Sequence, residues 1–182
     1  MPPDEVFDAA LKRFLAQRRV DMRSLAAELG IGRATLYRRA GGRDQVLGHV
    51  LWYLTDRNLD RAVRAAEGRR GAERIVAVIG HFLNAVKDQP ALRHFLATEP
   101  EAALRILTSK RGIVQGRVVD HLEGLMRDEI AAGSFAPRLD ARTLAFVLVR
   151  IGESFLYADA IADGEPDVEQ ALEIIGRLLE GS

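Results

Sequence analysis

The stretch from Val20 to Asp44 constrains the fold more than any other part of this chain. Asp21 predicts a helix start, because its carboxylate can accept bonds from the free N–H groups of the following turn. Met22, Leu25, Ala26 and Leu29 then recur at helical spacing and give that helix one apolar face. Gly30 suits the left-handed position just past a helix end, and Ile31 is placed to plug the turn. A second helix is expected to begin near Gly32 or Arg33 and to run to about Ala40. Two short helices joined by a tight glycine turn make a helix-turn-helix.

The residues of the second helix suggest what such a motif would do. Leu36 is its one clear inward anchor, which leaves Arg33, Thr35, Tyr37, Arg38 and Arg39 largely to face outward. In a DNA-binding helix-turn-helix the second helix enters the major groove and offers its first turns to base edges. Arginine grips guanine with two parallel bonds, and threonine and tyrosine hydroxyls can hold phosphates. The other reading is a solvated helical hairpin on some other all-helical protein. Charge placement bears on the choice. The net charge of the 182 residues is zero, yet from Lys12 to Arg43 there are nine Lys or Arg against two Asp or Glu. That pattern fits a DNA-binding head on a near-neutral body.

Leu25-Ala26, Gly30-Ile31, Thr35-Leu36-Tyr37, Arg43-Asp44 and Leu47 together resemble the N-terminal signature of the TetR/AcrR family of transcriptional repressors. The resemblance covers about the first fifty residues. It implies that Tyr37, Thr35 and Arg43 hold phosphates, and leaves Arg33, Ala34 and Arg38 to face bases. Three positions depart from the family pattern: Gly32 stands for serine, Ala40 for an aromatic residue and Arg43 for lysine. Gly32 still tolerates a helix N-cap and Arg43 keeps the charge, whereas Ala40 loses an aromatic plug. The run continuing through Leu51-Trp52 resembles the QsdR-type subgroup.

The rest of the chain reads as helices. Pro3 and Asp4 suit a helix start, followed by a stripe of Phe7, Ala10, Leu11 and Phe14; Arg18-Arg19 at its tail lie either near DNA phosphates or in solvent. After Gly41-Gly42 a long helix is expected from Asp44 to about Glu67, striped by Leu47, Val50, Leu51 and Leu54. Ile75, Val78, Ile79, Phe82 and Val86 mark the next helix, which Pro90 must break. A short helix passes through Leu92, Phe95 and Leu96 before Pro100 interrupts again. Val114, Val118, Leu122 and Leu125 mark a longer one. After the loop from Gly133 to Pro137, the strongest stripe runs through Leu144, Val147, Leu148, Ile151, Phe155 and Ala158, and Asp163 to Pro166 end it. Val168, Ala171, Leu172, Ile175 and Leu178 form the last helix. The count is about nine helices and no strand, an all-α fold.

Several chemistries are excluded or unsupported. The chain has no cysteine, so disulfides, thiolate catalysis and zinc fingers are out. No two of His49, His81, His94 and His121 have the i, i+4 spacing of a helical metal site, and no cofactor or metal is expected. No nucleophile elbow or phosphate-binding Gly-Lys-Ser/Thr loop occurs. The N-terminal residues lack an apolar run, and the longest apolar stretch, Leu144–Val149, is far short of the ~20 residues that span a bilayer, so a cytoplasmic protein is expected. Arg150 and Glu153 stand three apart in the most apolar helix, either as an internal ion pair or as a polar fixture in a cavity or at a subunit seam.

The resulting expectation is a helix-turn-helix domain over residues 1–47 and a helical effector-binding and dimerisation domain over 48–182. The protein would bind a palindromic double-stranded operator as a homodimer and release it to a small, moderately apolar effector; the QsdR-type likeness suggests an acyl compound or lactone. Trp52, Tyr53, His81, Phe82, Phe95, Arg150, Glu153, Phe155 and Tyr157 are the candidate effector contacts. The family resemblance places the dimer seam on the last two helices, with Leu144, Leu148, Ile151, Leu172, Ile175 and Leu179 as its candidate residues. An all-helical enzyme and a constitutive DNA-binding dimer are the alternatives.

Overall fold

The computed structural model describes residues 4–109, 112–162 and 164–180, so the helix start expected at Pro3 and the helix stop expected at Asp163 lie outside the described residues. The described residues form eleven helices and no strand. They are α1 (Asp4–Leu15), α2 (Met22–Glu28), α3 (Arg33–Ala40), α4 (Arg43–Ala65), α5 (Gly71–Lys87), α6 (Pro90–Thr98), α7 (Pro100–Thr108), α8 (Ile113–Ala131), α9 (Ala141–Leu156), α10 (Ala158–Ile161) and α11 (Val168–Glu180). The two helices beyond the expected nine are α7 and α10. Pro100, read as an interruption, also opens a new helix, because proline at the first helical position loses no bond. At Tyr157 the backbone leaves helical geometry and sets α10 off from α9. Among the described residues no helix is long and apolar enough to cross a membrane.

The chain divides into two compact units. The first contains Met1–Leu54 and Gln89–Val114. Its helix-turn-helix is built by local chemistry. The Asp21 carboxylate accepts bonds from the N–H groups of Arg23 and Ser24 at 3.0 and 2.9 Å. These bonds hold its pKa below the ordinary carboxylate value, the one from Ser24 contributing most. Gly30 takes a φ of +64°, and the Ile31 N–H returns to the Ala26 carbonyl at 3.0 Å, closing the end of α2. Gly41, at φ +73°, ends α3. A side chain there would collide with Gln45, whose Oε1 accepts the Gly42 N–H at 3.1 Å and so caps α4. Val6, Phe14, Leu25, Leu36, Val46, Leu47 and Val50 are buried and form the unit's core. Ala40, where the family has an aromatic residue, is buried as well. Helix α1 stops at Leu15, with Gln17 in the left-handed region, so Arg18 and Arg19 follow the helix and do not lie on it.

The second unit contains Thr55–Asp88 and Gln115–Ser182. Helices α5, α9 and α11 pack on one another around Ile75, Val78, Leu83, Leu144, Leu148, Ile175 and Leu179. Glycine permits the close crossings: a Cβ on Gly80 would lie 3.2 Å from Leu172, and one on Gly152 3.3 Å from Leu83. Buried Glu129 ties the start of α5 to the end of α8. Its carboxylate accepts the Gly71 N–H at 2.6 Å, the Ser134 hydroxyl at 2.7 Å and the Arg74 guanidinium. Burial pushes the Glu129 pKa up, but the bonds from Ser134, Gly71 and Arg74 outweigh it and leave the group below its ordinary value.

Candidate nucleic-acid interface

Helix α3 has little to bury. Leu36 is completely enclosed and Ala40 nearly so, while Arg33, Ala34, Tyr37, Arg38 and Arg39 are exposed and Thr35 is half-buried. This distribution follows from the sequence, since one apolar anchor in eight residues can point only one edge inward. Tyr37 is 52% exposed. The five candidates on α3 therefore share one short helix. Arg43 lies at the start of α4.

Arg43 is held in a way the sequence did not indicate. Its Nε donates to the Val20 carbonyl, and its Nη2 donates to the Glu99 carboxylate at 2.7 Å. Its side chain is one-fifth exposed. Glu99 sits between α6 and α7, 56 residues away along the chain, and also approaches Arg19 at 3.7 Å. Asp44 pairs with Arg105 of α7 at 2.9 Å. Only the proline following Glu99 was legible, as an interruption; no local signal connects Glu99 with Arg43.

The candidate effector residues are spread over both units. Trp52, Tyr53 and Phe95 belong to the first, where Tyr53 meets Phe7 edge-on at 5.3 Å and buried Phe95 meets Phe14 at 5.9 Å. His81, Phe82, Arg150, Glu153, Phe155 and Tyr157 belong to the second. Of these, His81 and Arg150 are exposed, Phe82 and Phe155 half-buried, and Tyr157 buried. Arg150 and Glu153 are paired at 2.8 Å. The sequence missed the third member of that group: Gln115 on α8 donates from Nε2 to both Glu153 oxygens, at 3.0 and 2.9 Å. Burial raises the Glu153 pKa, against the opposing pull of Gln115 and Arg150.

The candidate dimer residues are mostly spent inside the protomer. Leu144, Leu148, Ile175 and Leu179 are buried, with Ile175 at 0% exposure, and Ile151 and Leu172 are half-buried. A fully covered side chain has no surface left for a partner. The apolar residues that α9 and α11 leave in solvent are Phe146, at 51% exposure, Ile174, at 37%, and Leu178.

Comparisons with known proteins agree with this architecture. Residues 70–180 match the family model described as tetracyclin repressor-like, C-terminal domain. The chain is similar to the structure of the R. erythropolis transcriptional repressor QsdR from the TetR family, at 32% identity and a TM-score of 0.88, over 96% of this chain and 92% of that one. It shares its fold with the TetR family repressor AlkX from Dietzia sp. strain DQ12-45-1b, at 23% identity and a TM-score of 0.64, over 97% of this chain and 94% of that one. It also shares its fold with the regulator FadR from Bacillus subtilis in complex with stearoyl-CoA, at 14% identity and a TM-score of 0.58, over 98% of each chain. No curated protein sequence matches.

Proposed function

The chain belongs to the TetR family of transcriptional regulators, and from that premise we propose a ligand-responsive repressor that binds a palindromic operator as a homodimer. One observation carries this reading: α3 turns Arg33, Ala34, Tyr37 and Arg38 outward from a single buried anchor, Leu36. Arg33, Ala34 and Arg38 read base edges, while Tyr37, Thr35 and Arg43 hold backbone phosphates. Arg43 acts from its remaining guanidinium nitrogen, Nη1, because Nε and Nη2 are already engaged. The residues of 1–47 carry DNA binding and those of 48–182 effector binding and dimerisation.

In the dimer, α9 and α11 pack on their counterparts through Phe146 and Ile174, with half-buried Ile151 and Leu172 at the margins. A two-fold arrangement sets two recognition helices roughly 34 Å apart and so selects a palindrome. The effector is moderately apolar, an acyl compound or lactone. Phe82, Phe155 and Tyr157 supply its apolar contacts, and the Gln115–Glu153–Arg150 group is the polar fixture that orients it. It acts by binding the arrangement that cannot hold DNA better than the one that can.

Selection of bound DNA from a random pool tests the reading directly. The expected result is an enriched palindrome whose affinity falls about 5- to 150-fold with a saturating acyl compound or lactone. The operator must lower the compound's affinity by the same factor, followed by calorimetry. A pool without enrichment overturns the repressor. An enriched site whose affinity no such compound changes leaves a constitutive DNA-binding dimer.

A further inference from the structure

The first unit contains a cleft of about 370 Å³, within the size range of small-molecule sites. Its floor is apolar and buried: Phe14 from α1, Leu47 from α4 and Phe95 from α6, with Val20 beside them. Its rim is charged. Arg18, Arg19 and Arg43 line it against one carboxylate, Glu99, an excess of two positive charges. Glu99 is committed to Arg43 at 2.7 Å and reaches Arg19 only at 3.7 Å. Arg19 is 73% exposed, and Arg18 has no ion pair among the described residues. The Thr98 hydroxyl donates to the His94 carbonyl of its own helix.

A concave apolar floor beneath uncompensated guanidinium groups recognises two things together, a negative head and an apolar body. A purely apolar guest would leave the arginines unsatisfied, and a bare anion would leave the floor wet. Arginine suits the head because its planar donors match carboxylate and phosphate oxygens. We propose that this cleft binds a small amphipathic anion, its carboxylate or phosphate held by Arg18, Arg19 and Arg43 and its short apolar tail laid over Phe14, Leu47 and Phe95. The site is separate from the effector contacts proposed above and does not depend on them. Glu99 is its internal competitor, because it engages Arg43 at 2.7 Å and approaches Arg19 at 3.7 Å, where the head would bind.

Calorimetric titration of the full-length protein without DNA tests this, so failure to find an operator would not affect the outcome. Octanoate and octyl phosphate are expected to bind saturably; octanol, which loses the charge-assisted hydrogen bonds, and inorganic phosphate, which loses the apolar contact, are expected to bind at least about tenfold more weakly. Arg18→Glu with Arg19→Glu, both on exposed side chains, should weaken octanoate at least about tenfold. Glu99→Gln should tighten it severalfold, because Arg43 is then released; loss of a merely structural ion pair would not improve binding. The unfolding temperature of each variant establishes that it is folded. The proposal is overturned if octanoate fails to bind, if octanol or phosphate alone binds equally well, or if the arginine reversals leave octanoate binding unchanged.

Discussion

Helix α3 and the pair α9 and α11 each leave side chains in solvent that the fold does not need, but of opposite character. Helix α3 exposes arginines and a tyrosine around one buried leucine. Helices α9 and α11 bury five leucine or isoleucine side chains and still expose Phe146, Ile174 and Leu178. A polar, cationic surplus is complementary to a polyanion and loses strength in salt. An apolar surplus is complementary to another apolar surface, and a second copy of the same helices supplies one. Exposure alone does not separate the two surfaces; residue chemistry does, and the DNA and dimer contacts proposed above rest on that difference.

Four experiments would break or sharpen the contrast, taken from the largest expected effect downward. Phe146→Asp with Ile174→Asp places charge on the apolar surplus without touching the protomer core. Light scattering should show monomers, and operator affinity should fall about 10²- to 10⁴-fold as bivalent attachment is lost. A variant that stays dimeric at micromolar concentration removes these residues from the seam. Leu36→Ala attacks the single anchor of α3 and should cost about 2–5 kcal/mol in denaturant unfolding. A cost below about 1 kcal/mol would mean that α3 is held from elsewhere.

The two sides of α3 itself should then separate. Arg38→Ala should relax preference at one or two base pairs, by ~1–3 kcal/mol for a lost bidentate contact. Tyr37→Phe should weaken binding to all sequences alike, by ~0.5–1.5 kcal/mol. If Arg38→Ala leaves the selected sequence unchanged, the assignment of bases and phosphates on α3 is wrong.

The smallest effects concern two carboxylates of the second unit and differ in sign. The folded pKa of Glu129 lies below its unfolded value, so its contribution is present above the unfolded pKa and is lost as pH falls through the folded one. Glu129→Gln should therefore destabilise near pH 7, with the gap closing in acid. The folded pKa of Glu153 is raised, so the fold favours its protonated form, and that preference is lost as pH rises through the folded value. Glu153→Gln should match or exceed the parent in stability near pH 7. Urea midpoints from pH 3 to 8 distinguish the two; parallel profiles for both variants would contradict the environments described for them.

The sequence by itself determined the all-helical class, the helix-turn-helix and the outward set on α3. Those features rest on interactions within four residues: the spacing of Met22, Leu25 and Ala26, the Asp21 cap, and the turn at Gly30. Pro90 as a break was legible for the same reason, since proline acts on its own helix. Only the tertiary structure decided which side of an amphipathic helix is spent inside the protomer. Ile174 and Ile175 are adjacent and chemically identical, yet the packing of α11 on α5 and α9 encloses one and exposes the other. Only the tertiary structure joined Arg43 to Glu99, or Gln115 to Glu153, because those pairs lie 56 and 38 residues apart and no local periodicity relates them. Short-range chemistry forms the helices, and the way their apolar faces are shared out brings distant charges together and leaves some surfaces open.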